Sequence, residues 1–369
     1  MSTSLLVGTR KGLFRIERSN GRWTIANSWF LGDPVTMVLP EAGGKRIHAA
    51  LGTGHFGVKL RRSEDGGKTW DEAPAPAYPP KPEGFVDKDP MRGIDVPWSS
   101  FLIWGLEQGG LPGELWYSDI PGGLFRSTDG GENWTMIRSL WDDPRRQKWM
   151  GGGYDFAGIH SILVDPRDPK HVTIAVSCGG VWATRDSGAS WELIGTKGLR
   201  NAYMPPEMAG DPISQDPHRV VQSPSNPDRM WMQHHNGIFV SDDAGLSWRE
   251  LEDVQPSNFG FGVAVHPTDP DMAWFVPGIK DETRIPVDGK LVVTRTRDGG
   301  KTVESLSRGL PQELAYDLVY RHCLEISPDA GHLAFGSTTG SLWISDNLGD
   351  SWQTISTHLP PVLCVRFEN

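Results

Sequence analysis

Short apolar runs, separated by turns rich in Gly, Pro, Asp and Asn, fill the chain from end to end, and helical periodicity is nearly absent. The stretch 159–194 shows the unit most clearly. An apolar run over 159–164 closes at Asp165-Pro166-Arg167-Asp168-Pro169, and a second run covers 172–178. Gly179-Gly180 turns the chain into a third run at 181–184, and Trp191 opens a fourth at 191–194. Four such runs joined by tight turns predict a four-stranded antiparallel meander.

The turn between the third and fourth runs carries a repeat. Residues 241–248 read Ser-Asp-Asp-Ala-Gly-Leu-Ser-Trp, and near-copies lie at 63–70, 127–134, 184–191, 296–303 and 345–352. Val303 replaces the Trp in one copy and Asn347 the Asp in another. Units spaced about 50 to 60 residues apart bury their apolar faces only against their neighbours, which predicts an all-β propeller. Within each copy a short Asp side chain suits a turn because it accepts from nearby backbone N–H groups, and Gly allows a positive φ. The Trp is expected to bury its ring between blades, so these Asp residues are read as structural.

Six copies do not fix the number of blades. Residues 5–7, 12–16 and 23–25 read as the second, third and fourth strands of a unit whose first strand is missing, and 364–367 reads as a first strand alone. Joining the two ends closes the ring and removes its open sheet edges. The expectation is a seven-bladed β-propeller occupying 1–369 as one domain, with six blades as the alternative.

Composition sharpens this. Gly 44, Pro 29 and an excess of Trp 16 over Tyr 6 fit many short strands and tight turns. A formal charge of −10 with no basic block excludes a nucleic-acid surface. No stretch approaches membrane-spanning length, and the N-terminus lacks a charged segment followed by an apolar run, so a cytoplasmic protein with no membrane partner is expected. Three cysteines, Cys178, Cys323 and Cys364, are too few and too scattered for a disulfide framework.

The repeated octapeptides resemble those of the Asp-box (bacterial neuraminidase repeat) propellers, and the resemblance runs over nearly the whole chain. That superfamily includes sialidases, xyloglucan-cleaving glycosidases, sortilin-type receptors and a photosystem II assembly factor, so the resemblance implies a fold more than an activity. Residues 6–13 (Leu-Val-Gly-Thr-Arg-Lys-Gly-Leu) and 233–238 (Gln-His-His-Asn-Gly-Ile) are similar to bacterial proteins labelled glycosyl hydrolases. Sialidases of the superfamily have six blades, an arginine triad, a Tyr/Glu nucleophile pair and an Arg-Ile-Pro motif in the first blade. Here Arg284-Ile285-Pro286 falls in an insertion of the sixth blade, so that chemistry is not carried over.

Insertions point to a site. The box turns and the turns after each first strand are short, whereas the connections on the opposite face hold nearly every insertion: 74–98, 139–158, 195–217 and 277–289. Long loops gathered on one face of a rigid scaffold usually build a binding or catalytic site. Arg92, Tyr154, Asp155 and Glu207 are the loop residues suited to substrate binding or acid–base work.

Histidines give the sharpest signal. Six residues before the Pro that closes the first strand stand His160, His218 and His322, with Phe261 in the blade between. Equal register means equal direction, so three imidazoles are expected at the channel mouth, with His234 and His235 on the same face. His160, His218, His322, His234 and His235 are candidate ligands for one divalent metal ion. His160 and His218, together with Glu207, Asp155, Tyr154 and Arg92, are the catalytic candidates. The reading is an enzyme with a His-built site at the channel mouth, acting on a small polar or sugar-like ligand. Two alternatives remain: a glycosidase using a carboxylate pair drawn from Asp95, Asp155, Glu207 and Asp211, and a non-catalytic protein-binding scaffold.

Overall fold

The structure, a computed structural model, describes residues 4–368, so the first three residues of the N-terminal stretch lie outside it. Seven four-stranded antiparallel sheets form a seven-bladed β-propeller. Blade 1 takes three strands, Ser4–Thr9, Gly12–Ser19 and Arg22–Trp29, from one end of the chain and its inner strand, Val362–Glu368, from the other. The inner strands of blades 2 to 7 are Val35–Pro40, Leu102–Gln108, Ile159–Val164, Pro217–Gln222, Gly260–Val265 and Leu324–Ile326. These strands touch one another around the ring, with the central channel between them. Closure is locked at the bottom of blade 1, where Arg15 Nε and Nη2 grip Glu368 at 2.8 and 2.6 Å and Ser4 Oγ donates to the same carboxylate at 2.7 Å.

The core lies between blades. Trp248 of blade 5 packs with Ala175, Val181 and Ile194 of blade 4, and Trp116 of blade 3 packs with Ile174 and Trp182 of blade 4. Each such ring removes roughly 150–250 Å² from water. No blade could do this alone, which is why the sequence repeats.

The turn at 241–248 works as its residues suggest. Asp243 Oδ1 accepts from Ser241 Oγ and from the Ser247 N–H, both at 2.8 Å, while Oδ2 accepts from Ser247 Oγ at 2.6 Å. Ser241 Oγ in turn accepts from the Gly245 N–H at 2.9 Å. Ala244 and Gly245 sit at φ 56° and 84°, the left-handed geometry that favours Gly. The same carboxylate net recurs at Asp65, Asp129, Asp186 and Asp298, and Asn347 reproduces it with an amide.

One irregularity also repeats. In five of the inner strands of blades 2 to 6 the pairing slips beside one residue or two: Thr36, Trp104, His160, His218, and Phe261 with Gly262. In blade 1 the slip skips Leu363. A β-bulge re-aims the extra side chain. The propeller therefore carries a ring of bulged residues at one level of the channel. In blade 7 the equivalent His322 stands in the irregular lead-in to the strand, where the Cys323 N–H donates to Tyr320 O at 2.9 Å.

Candidate functional site

The insertions on the loop face enclose a cavity of about 920 Å³ at the channel mouth. Its size is at the upper end for small-molecule sites. Loops that would otherwise move are stapled: the buried Asp87 Oδ2 accepts from Arg146 Nη2 at 2.7 Å and from Trp98 Nε1 at 3.0 Å, and Asp89 Oδ2 accepts from the Gly151 N–H at 2.9 Å. Bulged residues Leu363, Thr36, Trp104, His218 and Phe261, with His322 at the equivalent level, form much of the floor.

At one side of this floor sit Asp216, His218 and His235, whose ligand atoms all lie within 4.8 Å of one another. Asp216 Oδ2 is 3.3 Å from His235 Nδ1 and 3.7 Å from His218 Nε2, and Oδ1 accepts from the Cys178 N–H at 3.2 Å. His218 Nδ1 donates to Gly260 O at 2.6 Å, which fixes the tautomer and leaves the Nε2 lone pair facing Asp216. Its ring stacks on Phe261 at 4.3 Å. Tyr203 meets the His235 ring edge-on at 4.9 Å.

The charges follow from these contacts. Burial works to raise the Asp216 carboxyl, but the neighbouring His218 and His235 imidazoles outweigh it and hold the group well below the usual carboxylate range. For His218 burial wins and the imidazole is pushed down. For the half-buried His235 the bond to Asp216 overcomes burial and the imidazole is pushed up. Burial and the shared carboxylate thus push the two imidazoles in opposite directions, His218 down and His235 up, around a carboxyl held low.

The residue set suits a divalent cation. A tetrahedral ion with N and O donors at about 2.0–2.2 Å spaces those donors roughly 3.3 Å apart. The two separations from Asp216, 3.3 and 3.7 Å, lie near that, and all three ligand atoms lie within 4.8 Å of one another. Three protein ligands with the cavity above them is the pattern of a catalytic metal, which keeps a coordination position open.

The other expected residues divide. His160 is fully buried with both nitrogens engaged, Nε2 donating to Pro217 O at 2.7 Å and Nδ1 facing Ser161 Oγ at 2.9 Å, so it braces blade 5 and is not in the cluster. His234 is likewise taken up, its ring nitrogens 3.1 Å from the backbone amides of Asp216 and Asn236, and burial pushes it down to about 3. His322 lines the cavity but stays outside the cluster, both its nitrogens buried without a partner among the described residues. Tyr154 and Arg92 line the cavity, Tyr154 against Trp104 and Arg92 with Nη1 on Gly151 O at 3.2 Å.

Asp155 is not among the cavity residues; its side chain is 76% exposed and 3.6 Å from Arg92. Glu207 is exposed on a loop folded on itself, and Asp211 caps the short helical turn Pro212–Ser214 by accepting from the Ile213 N–H. Neither reaches the cavity, and Asp95 does not either. The carboxylates that do are Asp216, Asp281 and Glu282. Cys178 lines the cavity, but burial raises its thiol and keeps it protonated.

Two residues central to the site carry no repeat signal. Asp216 lies two positions before His218, and strand alternation places such a pair on one side. Arg321 is the second, and its neighbour His322 drew attention instead.

No protein-family model matches the chain. The chain is similar to the xyloglucanase Xgh74A of Acetivibrio thermocellus, 22% identical over 45% of this chain and 20% of that protein. It is also similar to the photosystem II assembly lipoprotein Ycf48 of a Synechococcus species, 28% identical over 36% of this chain and 30% of the relative. The matched stretches thus span less than a third of each relative's own length. Among solved structures, Ycf48 bound to a D1 peptide superimposes with a TM-score of 0.52 at 16% identity, covering 87% of this chain and 82% of that one. At that identity the likeness speaks for the propeller fold alone. Among the described residues no helix is long and apolar enough to cross a membrane.

Proposed function

We propose that the protein is an enzyme acting on a small polar or sugar-like molecule in the cavity at the channel mouth, with Asp216, His218 and His235 as its reactive centre. One observation carries the reading: a carboxylate and two imidazoles converge, their ligand atoms within 4.8 Å of one another, on the floor of a small-molecule cavity. Asp216, His218 and His235 would hold a divalent cation, which when bound supplies a Lewis acid and a water of lowered pKa. The chain's own groups do the rest. Asp216 orients the His235 ring, so that Nδ1 either takes a proton, when no cation is bound, or serves as a ligand to one. Burial pushes the His218 imidazole down, and the bond to Gly260 O fixes how its ring is turned. Tyr154, Tyr203 and Trp104 supply flat surfaces for a ring-shaped substrate.

The similarity to a xyloglucanase supports a carbohydrate as the class to try first. The similarity to Ycf48 supports the runner-up, a scaffold that holds a peptide on the same face. Calorimetric titration of tag-free protein with Zn²⁺ and Mn²⁺ separates them. The expectation is one ion per chain, lost in Asp216→Asn and weakened at least tenfold in His235→Ala. Absence of binding to the wild-type protein, or equal binding in both variants, overturns the reading.

A further inference from the structure

We infer that the ligand of this cavity carries an oxyanion, anchored by Arg321. The inference deepens the proposed function by naming the substrate class, and rests on that reading for its catalytic meaning, though the binding itself does not.

Arg321 is 6% exposed, and its guanidinium carbon lies 4.7 Å from the Trp104 ring centroid and 5.1 Å from that of Phe261. Nε and Nη2 are buried with no hydrogen-bond partner, which leaves Nη1 as the nitrogen that meets the cavity the residue lines. Arginines buried to a similar degree elsewhere do not stand alone. Arg146 holds Asp87 at 2.7 Å, Arg295 holds Asp350 at 2.7 Å, and Arg366 holds Glu107 at 2.9 Å. Arg321 has no carboxylate within reach among the described residues. Two aromatic faces offset part of the cost of burying that charge, and an anion entering the cavity would offset the rest.

The surroundings agree. The protein's formal charge is −10, yet its cavity wall collects cations. Arg10 and Lys11, from the turn of blade 1, join Arg92, Arg284 and Arg321 on the lining, against the carboxylates of Asp216, Asp281 and Glu282. Asp281 is spent on Arg284, at 2.5 Å, and Asp216 is covered by its two imidazoles. Arg10 and Lys11 form no ion pair among the described residues. A field of this sign inside a low-dielectric cleft concentrates anions.

Position adds specificity. Arg321 and His218 pack against one ring, Phe261, at 5.1 and 4.3 Å from its centroid. A ligand held by Arg321 therefore presents to Asp216 and His235 a bond close to its own charged group. The chemistry is that of a small carboxylate or phosphate compound, in which one planar or tetrahedral oxyanion sits a few bonds from the reacting centre.

Isothermal titration at low ionic strength with acetate and, separately, inorganic phosphate tests this. Saturable binding of either to the wild-type protein is expected, weakened at least tenfold in Arg321→Gln, and the arm that binds more tightly names the group. Asp216→Asn should keep the anion while losing the cation, so failure of the metal reading is told apart from failure of this one. If Arg321→Gln does not fold, Arg321→Lys carries the test, since a point charge on a longer stem cannot replace a stacked fork and must weaken binding at least threefold. Absence of saturable binding of both anions to the wild-type protein, or unchanged affinity in the variant that folds, overturns the inference.

Discussion

The two faces of the ring solve opposite problems. On the turn face, each octapeptide is satisfied within itself: Asp243 bonds to Ser241 and Ser247, and Asp65, Asp129, Asp186 and Asp298 do the same with their own neighbours. On the loop face, polar groups are satisfied between segments far apart in the chain, as with Asp87 and Arg146 or Asp216 and Cys178. Others, Nε and Nη2 of Arg321 and both ring nitrogens of His322, have no partner among the described residues. Local closure can be copied from blade to blade. Long-range closure cannot, and so the loop face is where unpaired chemistry accumulates.

Breaking that contrast gives graded outcomes. The largest effect is expected from Asp216→Ala. It leaves His235 without its counter-charge and the Cys178 N–H without its acceptor, and should cost about 3–5 kcal/mol in urea unfolding while abolishing cation binding. Next comes acid. His160, His218, His234 and His322 all have imidazoles pushed below their ordinary value, with burial as the leading cause. The unfolded chain takes up those protons first, so stability is full above an unfolded value near 6.5 and falls as pH drops below it, by up to about 1.4 kcal/mol per pH unit for each histidine. His235 runs the other way, its share being present at low pH and fading as pH rises through its elevated value. Melting curves from pH 8 to 5 should slope downward toward acid, and a flat profile would contradict the buried neutral assignment.

Asp243→Ala should cost about 1–2 kcal/mol and leave ligand and cation affinity untouched. If it altered binding, the two faces would not be independent. The smallest stability effect, under about 1 kcal/mol, is expected from the partly exposed His235→Ala, which should nonetheless lower turnover by about 10²–10⁴. A melting temperature that falls as far as that of Asp216→Ala would make His235 structural.

How much of this was legible depended on whether a feature repeats. The octapeptides, the four-strand unit and the ring closed by 364–367 could be read because the same turn chemistry returns in six of the seven blades. The register of His160, His218 and His322 was also visible, since all three stand six residues before the Pro that closes the inner strand. Their differing fates were not, because those depend on single partners: Pro217 O occupies His160, while nothing occupies Nε2 of His218 except Asp216. Simple alternation turns the residue before His322 away from the channel. The backbone turn between Tyr320 and Cys323 defeats that rule and brings Arg321 into the cavity. Glu207 and Asp211 looked well placed on the loop leading to His218, yet the loop spends them on its own surface and on a helix cap.

Ring closure has a consequence in time. The cavity wall draws Arg10 and Lys11 from the first hairpin and Leu363 from the last strand, and Val365 pairs with Val7 across that seam. During synthesis the loops of blades 2 to 7 can fold in order as they emerge, but the pocket stays open on one side until the last strand arrives. A chain cut short by a dozen residues could hold most of the reactive groups and still have no vessel to hold a ligand. The pocket therefore exists only once the strand Val362–Glu368 has joined blade 1, and a bound ligand reports a closed ring.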